Sequence, residues 1–597
     1  NVQVTTVGSV VFGVTSPATP AATNATTCNF GSPSCTFTAS SAGFVFAVPN
    51  HVSEVLQTVN VSAVKTAGNA LACVPAFASV AKNVTFKCAY ANPVSGTLPV
   101  RVNGIALNAA GSAGAACDAS GKAVSLSFGA TGVASTTFQY ADVGNLNLTA
   151  TYTGSGADTG LVMTGSDSFI AAPKDFAFSA ITAGPIKAGN NFSATVTARN
   201  NANVATPNFG KENAPEQVTV GRVRYKPVGT GMSDGDFIGS LGAFNLGAAT
   251  ANNLNWSEVG IIDLSATLAS GSYLASGLTA SGSTGATGAI GSDGAVVRFI
   301  PDHFDTAVAL VAGVPMPCPT GLTCPAQYNG FAYSGQGVPL TITAKNGLST
   351  PTPTVNYNYS ATAADSFSKA VTLSAVASVG GSAMVTTAPG GGASSVAVPA
   401  SSFALGTTPP TTLAYPVFTF AATPTVPTDV YWRAIETASA GDGVSSLRAT
   451  SASSVEGGVK VVSGRIRLPN AYGSERLGLP MAATVQYFDA LSHWVTSGTD
   501  SATAFAIATP VIIKGPLVLA NLTPTVSADT CASSVVFCKG LKTIIWDSAN
   551  VSGSADITVT APSWLQYPWT STTATSPTAR ATFGIYKSPL IYRRENY

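Results

Sequence analysis

The sequence predicts an all-β chain of tandem immunoglobulin-like β-sandwich modules in an elongated rod, and three observations predict it. Short runs of β-branched and aromatic residues alternate with small polar ones. Examples are "NFSATVTARN" (191–200), "VPLTITAKNG" (338–347), "DVYWRAIET" (429–437) and "ADITVTAP" (555–562). This is the period-2 pattern of half-buried strands. The 597 residues include 59 Gly and 36 Pro, so turn signals punctuate the runs about every ten residues, as in sandwich modules. Capped stretches with helical periodicity are almost absent, and the chain is too long for a single core.

Composition narrows the function. Charged residues make up 9 %, against about 25 % in an average soluble protein. Apolar residues stand at an ordinary 45 % and the net charge is +1, so a disordered chain is excluded. Lys and Arg are scattered singly, with no basic stripe to neutralise phosphates, which argues against nucleic acid. Nowhere do 18 consecutive apolar residues occur, so no membrane-spanning helix is expected. The chain opens at Asn1 without Met, which fits a mature form or fragment whose signal peptide has gone. A polar, uncharged, Thr-rich surface suits a cell-surface fibre or adhesin.

Taken in order, one element recurs. "FAVPNHV" (46–52), "FIAAPKDFAF" (169–178), "RFIPDHFDTA" (298–307) and "RIRLPNAY" (465–472) each join an apolar strand end to Pro, a polar pair and a hydrophobe. Their prolines, Pro49, Pro173, Pro301 and Pro469, stand at intervals of 124, 128 and 168 residues, the length of a sandwich with decorated loops. Proline fixes φ, keeps the preceding residue extended and cannot donate to a ladder, so it suits a stiff inter-module seam. The expected units are an N-terminal β module (1–48), sandwiches at 49–172, 173–300 and 301–463, and a C-terminal sandwich (464–597). A second recurrence, "TVTARN" (195–200) with "TPNF" (206–209), returns as "TITAKN" (341–346) with "TPTVNY" (352–357), and "TVQYFD" (484–489) sits at a similar distance into the last unit. Inward Val or Ile and a turn at Asn or Asp are expected there.

Nine cysteines fall into three close pairs, Cys28/Cys35, Cys318/Cys324 and Cys531/Cys538, and a group of three, Cys73, Cys88 and Cys117. None has zinc-ribbon spacing, and three histidines are too few to complete zinc sites. Small disulfide-closed loops in an oxidising compartment are expected, with one pair among the group of three and one thiol left over.

Several clusters could carry chemistry. Asp302, His303 and Asp305 offer metal-ligand types, but His51 repeats the histidine's position without flanking acids, so both histidines are read as seam residues bonding across modules. "GMSDG" (231–235) matches a nucleophile-elbow pattern around Ser233, yet no helix or partner histidine follows. Asp234 and Asp236 could give oxygens to Ca2+, but no regular ligand set follows and turn roles are expected. Trp564, Tyr567 and Trp569 in "PSWLQYPWT" form an aromatic cluster that would bind a carbohydrate or partner if exposed and close the last sandwich if buried. No cofactor and no catalytic residue is expected.

A set of strings resembles the MshQ family, encoded with the mannose-sensitive haemagglutinin type IV pilus of Gram-negative bacteria. They include "NPVSGTLPVRVNG" (92–104), "WSEVGII" (256–262), "RFIPDHFD" (298–305), "GRIRLPNAYGSERLGLPMAATVQYFD" (464–489) and "ARATFGIYKSPLIYRRENY" (579–597). The resemblance runs from about residue 40 to the end. It implies a non-enzymatic pilus-associated surface protein, exported through the periplasm, with pilus subunits, copies of itself or a host or surface ligand as partners. Members often carry a laminin-G-like domain that no segment here is long enough to supply, and Ser53 stands near a place where the family carries Cys. Two other readings are a filament subunit assembling by strand addition through "NVQVTTVGSVVFGV" (1–14), and a hydrolase using Ser233 and His303.

Overall fold

The computed structural model describes residues 8–11, 36–39, 41–67, 73–285, 297–384, 392–393, 395–410, 415–437, 441–527, 530–531 and 535–584. Among them there is no α-helix; strands and a few single 3-10 turns account for the regular structure. The chain is all-β.

The strands sort into four successive sandwiches. In the first, Ala42–Val45, Gln57–Thr66, Val133–Tyr140 and Val100–Val102 make one sheet, and Lys122–Phe128, Val80–Asn92, Gly144–Thr153 and Val162–Ala172 the other. The alternation that predicted strands is the alternation that buries them. In Val133–Tyr140, Ala134, Thr136, Phe138 and Tyr140 point inward, as period 2 requires. Phe44, Phe46, Phe86 and Phe138 share that core, with Phe86 edge-on to Phe138 at 5.7 Å.

The two sheets touch where Thr164 lies opposite Gly43 in a parallel pairing. Here Gly165 is required by close approach: a Cβ would sit 2.3 Å from the Phe44 carbonyl oxygen. Gly282 repeats the device in the second sandwich, 1.8 Å from the Phe176 carbonyl oxygen.

The second sandwich builds one sheet from Asp175–Ser179, Phe192–Arg199 and Ala248–Trp256. The other uses Ile186–Lys187, Val297–Ile300, Gly260–Leu268 and Val218–Lys226. The third pairs His303–Val308 with Leu340–Lys345 and stacks them on a sheet running from Met316–Pro317 through Gly330–Tyr333, Gly458–Val462, Thr428–Glu436 and Val371–Val376. The fourth opens with Gly464–Arg467 against Leu479–Phe488 and closes with Thr578–Phe583 against Gly553–Thr560. Trp256, Trp432 and Trp546 are fully buried, one in each of the last three sandwiches.

These sheets correct the seam reading. Pro173 lies between the strands Val162–Ala172 and Asp175–Ser179, and Pro301 between Val297–Ile300 and His303–Val308. Pro49 and Pro469 each lie inside a sandwich, where the opening strand leaves one sheet and joins the other. Before Pro49, Ala42–Val45 runs antiparallel to Gln57–Thr66; after it, His51–Val52 runs parallel to the closing strand at Ala171–Ala172. Around Pro469, Gly464–Arg467 and Ala471–Gly473 make the same exchange. A residue that cannot donate to a ladder suits both a crossing between modules and a kink within one. The boundary expected at residue 48 therefore falls inside the first sandwich, since Phe44, Phe46 and Val48 are core residues of it. Upstream, Gly8–Val11 pairs antiparallel with Thr36–Ala39 of its own chain.

Three disulfides close: Cys88–Cys117, Cys318–Cys324 and Cys531–Cys538. Cys73 is the exposed free thiol among the described residues, while Cys28 and Cys35 lie outside them.

Candidate functional site

Buried polar side chains cross each joint between sandwiches, and the second sequence recurrence marks the first two, through Asn200 and Asn208 and then Asn346 and Asn356. At the first joint, the turn after Tyr140 places Asp142 fully buried against the second sandwich. Its Oδ1 accepts from its neighbour, the Val143 amide, at 2.9 Å and from the Asn208 amide across the joint at 3.0 Å. Asn208 returns the contact, its Nδ2 donating to Tyr140 Oη at 3.1 Å. Asn200, at the end of the preceding strand, donates to the Ala141 carbonyl at 2.9 Å. Asp142 Oδ2 and Asn208 Oδ1 are buried without a partner.

The second joint places corresponding residues in the same order, with different partners for the Asn side chain. Trp256-Ser-Glu258-Val-Gly stands where Tyr140-Ala-Asp142-Val-Gly stood. Glu258 accepts from the Val259 amide at 3.2 Å and, across the joint, from Val355 at 3.1 Å and Asn356 at 3.2 Å. Asn346 takes the place of Asn200 and donates to the Ser257 carbonyl at 3.0 Å. Asn356 takes the place of Asn208: its Oδ1 accepts from the Ser233 amide and its Nδ2 donates to the Ser233 carbonyl, both at 2.8 Å. Two ion pairs add to the joint, Arg298 on Asp442 at 3.0 and 2.7 Å and Lys226 on Asp365 at 3.1 Å.

Burial raises both joint carboxyls. Asp142 is pushed up to about 6, against the Asn208 and Val143 amides and Lys211, which favour its charge. Glu258 is pushed up to about 7, against its three amides and Arg224. Desolvation outweighs hydrogen bonding at each.

The third joint reverses the polarity. Tyr333, fully buried on the third sandwich, donates to Asp500 Oδ2 of the fourth at 2.8 Å and bonds Ser497 Oγ at 2.9 Å. Asp500 also accepts from the Thr503 amide at 2.9 Å and hydroxyl at 2.6 Å.

The sequence-predicted residues distribute as follows. His51 is buried, donates from Nδ1 to the Pro49 carbonyl at 2.8 Å and stacks on Phe169; burial lowers its pKa. His303 is 2 % exposed and clamped between carboxylates, Nδ1 at 2.8 Å from Asp302 and Nε2 at 3.4 Å from Asp305. Burial works against its protonation, but the bonds to Asp302 and Asp305 carry the imidazole above its ordinary value. Neither histidine bonds across modules, as the seam reading expected. The crossing falls to Asp302, whose carbonyl accepts from Lys187 Nζ at 3.0 Å.

Ser233 lies at the second joint, and its hydroxyl accepts from the Gly235 amide at 3.0 Å. Asp234 pairs with Arg224 at 2.8 Å. The Asp236 amide donates to Ser257 Oγ at 2.8 Å. Among the described residues no three His, Cys, Asp or Glu side chains converge as a metal site.

Tyr567 and Trp569 are half-buried and recruit two residues that the sequence reading left out. Trp494 meets Tyr567 at 5.3 Å. The Arg465 guanidinium lies 4.1 Å from the Trp494 ring centre, 5.3 Å from Tyr567 and 5.2 Å from Trp569. The cage is filled by a cation of its own chain. Trp564 stands apart, lining a cleft of about 370 Å³ at the third joint with Ser334, Thr419, Ser463 and Gln566. His493 is exposed between the strands Leu479–Phe488 and Trp494–Thr496, its amide donating to Asp489 at 2.8 Å.

Sheets and joints together define a tandem immunoglobulin-like β-sandwich protein. Three domain models of one family match: its first Ig-like domain at 25–166, its third domain at 258–459 and its fourth at 462–596. They cover most of the chain, which belongs to the DUF6701 family, a family described as a domain of unknown function. No curated protein matches. Among solved structures, the chain is similar to a tetra-tandem repeat from the extending region of a large adhesion protein. That match has 12 % identity, 91 % of this chain, 99 % of that one and a TM-score of 0.27. Invasin, a bacterial integrin-binding protein, matches at 11 % identity over 91 % of this chain and 79 % of its own, TM-score 0.25. The Escherichia coli adhesin FdeC matches at 11 % identity over 71 % and 98 %, TM-score 0.24.

Proposed function

We propose that this chain is an extracellular structural and adhesive protein: a rod of sandwiches held in fixed relation by buried joints, which projects a binding surface from a Gram-negative cell. The observation that carries the reading is the repeated joint, Asp142 with Asn208 and Glu258 with Asn356. Buried, reciprocally bonded polar groups fix a geometry that a flexible linker would leave free. The disulfides fit an oxidising compartment, and no helix among the described residues is long and apolar enough to cross a membrane. The resemblance noted above supports association with an MSHA-type type IV pilus, its subunits being the first partners to test.

Two other readings have less support. Pairing of Gly8–Val11 within its own chain occupies part of the stretch that strand addition would need. For hydrolysis, Ser233 lacks a free base: both His303 nitrogens face carboxylates. The test is electron microscopy of sheared surface fibres labelled with antibody to this chain. Gold at fibre ends or on the cell surface is expected. Gold at regular intervals along the shaft would make the chain a building block, and gold confined to the periplasm would end the reading.

A further inference from the structure

We propose that Asp142 is a proton-binding latch that tightens the first joint in mildly acidic surroundings and lets it flex as the surroundings turn neutral. The inference rests on reading these joints as the mechanical element of the rod. Its geometric basis is an imbalance of donors and acceptors. At the first joint two buried oxygens, Asp142 Oδ2 and Asn208 Oδ1, have no donor, whereas most buried acceptors in a folded protein are bonded. As a carboxylate, Asp142 buries one oxygen that accepts nothing, and a proton on that oxygen turns it into a donor. The second joint lacks this imbalance: Glu258 stands on the same turn, but both its oxygens accept amides and Asn356 Oδ1 accepts from the Ser233 amide.

The charged and titratable groups around Asp142 leave its burial dominant. Tyr90 and Tyr140 face Asp142 from its own sandwich, and Lys211, Glu212 and Tyr273 from the next. Lys211 favours the carboxylate and Glu212 opposes it.

The sign follows from linkage. A carboxyl whose value is raised in the closed joint binds a proton there that it releases when the joint opens. Closure is therefore fully favoured below the open-state value and is lost as pH rises through the closed-state value. For Asp142 that window runs from 3.8 to about 6.

Hydrogen exchange of the full chain reads this at the atom concerned: the amide of Asn208, corrected for intrinsic rate, with the strand Phe192–Arg199 as reference. Between pH 4 and pH 7 protection at this amide is expected to fall by up to about a hundredfold, since each unit between open and closed values is a factor of ten. Asp142→Asn should abolish the change at Asn208. Unchanged protection at Asn208 in the wild-type chain overturns the proposal even if the variant does not fold, and so does a pH response at Asn208 that survives the substitution. Because exchange reports only joint opening, a chain whose role is not adhesive would still give a clear answer.

Discussion

The second and third joints solve one problem with opposite chemistry. At the second, the preceding sandwich contributes the carboxylate, and Glu258 gathers amides of the next. At the third, the preceding sandwich contributes a donor, and Tyr333 reaches a carboxylate, Asp500, already held by its own sandwich. A joint therefore needs buried polar atoms matched across it, and which side carries the acid is interchangeable. The difference also sets how each should fail. Removing Glu258 strands amides on both sides, whereas removing the Tyr333 hydroxyl leaves Asp500 with its local donors.

Glu258→Ala should accordingly cause the largest loss, about 3 kcal/mol, because a buried donor left unpaired costs about 1–3 kcal/mol. It would be read as a fall in the chemical-denaturation midpoint that is absent from a chain ending after the second sandwich. Tyr333→Phe should cost about 1 kcal/mol by the same measure; a loss equal to that of Glu258→Ala would erase the distinction between the joints. Pro301→Ala should change stability least, by under about 1 kcal/mol and chiefly through the unfolded chain.

The fold was legible because strand burial has a period of two and turn residues are explicit in the sequence. "NFSATVTARN" reads as a strand and is one, with Phe192, Ala194, Val196 and Ala198 inward. The joints were not legible, because their partners are far apart: Asp142 and Asn208 are separated by 66 residues, Glu258 and Asn356 by 98. The signal was present in the parallel strings Tyr140-Ala-Asp-Val-Gly and Trp256-Ser-Glu-Val-Gly, but neither string alone shows what its acid faces. Proline misled for a physical reason, since a strand that changes sheets and a chain that changes modules both need a residue outside the ladder. The aromatic cluster was half legible: Tyr567 and Trp569 are neighbours in sequence, while Trp494 and Arg465 arrive by folding. Likewise Cys88 and Cys117, 29 residues apart, could not be separated from Cys73 by spacing.

The central claim is that buried polar joints, rather than proline seams, fix one sandwich against the next. The most direct test is the distance distribution between spin labels at Val223 and Val379, both exposed, in a Cys73→Ser background with the disulfides intact. A narrow distribution that broadens in Glu258→Ala and Asn356→Ala but stays narrow in Pro301→Ala is the predicted result. Broadening in Pro301→Ala alone, with both joint variants unchanged, would contradict it.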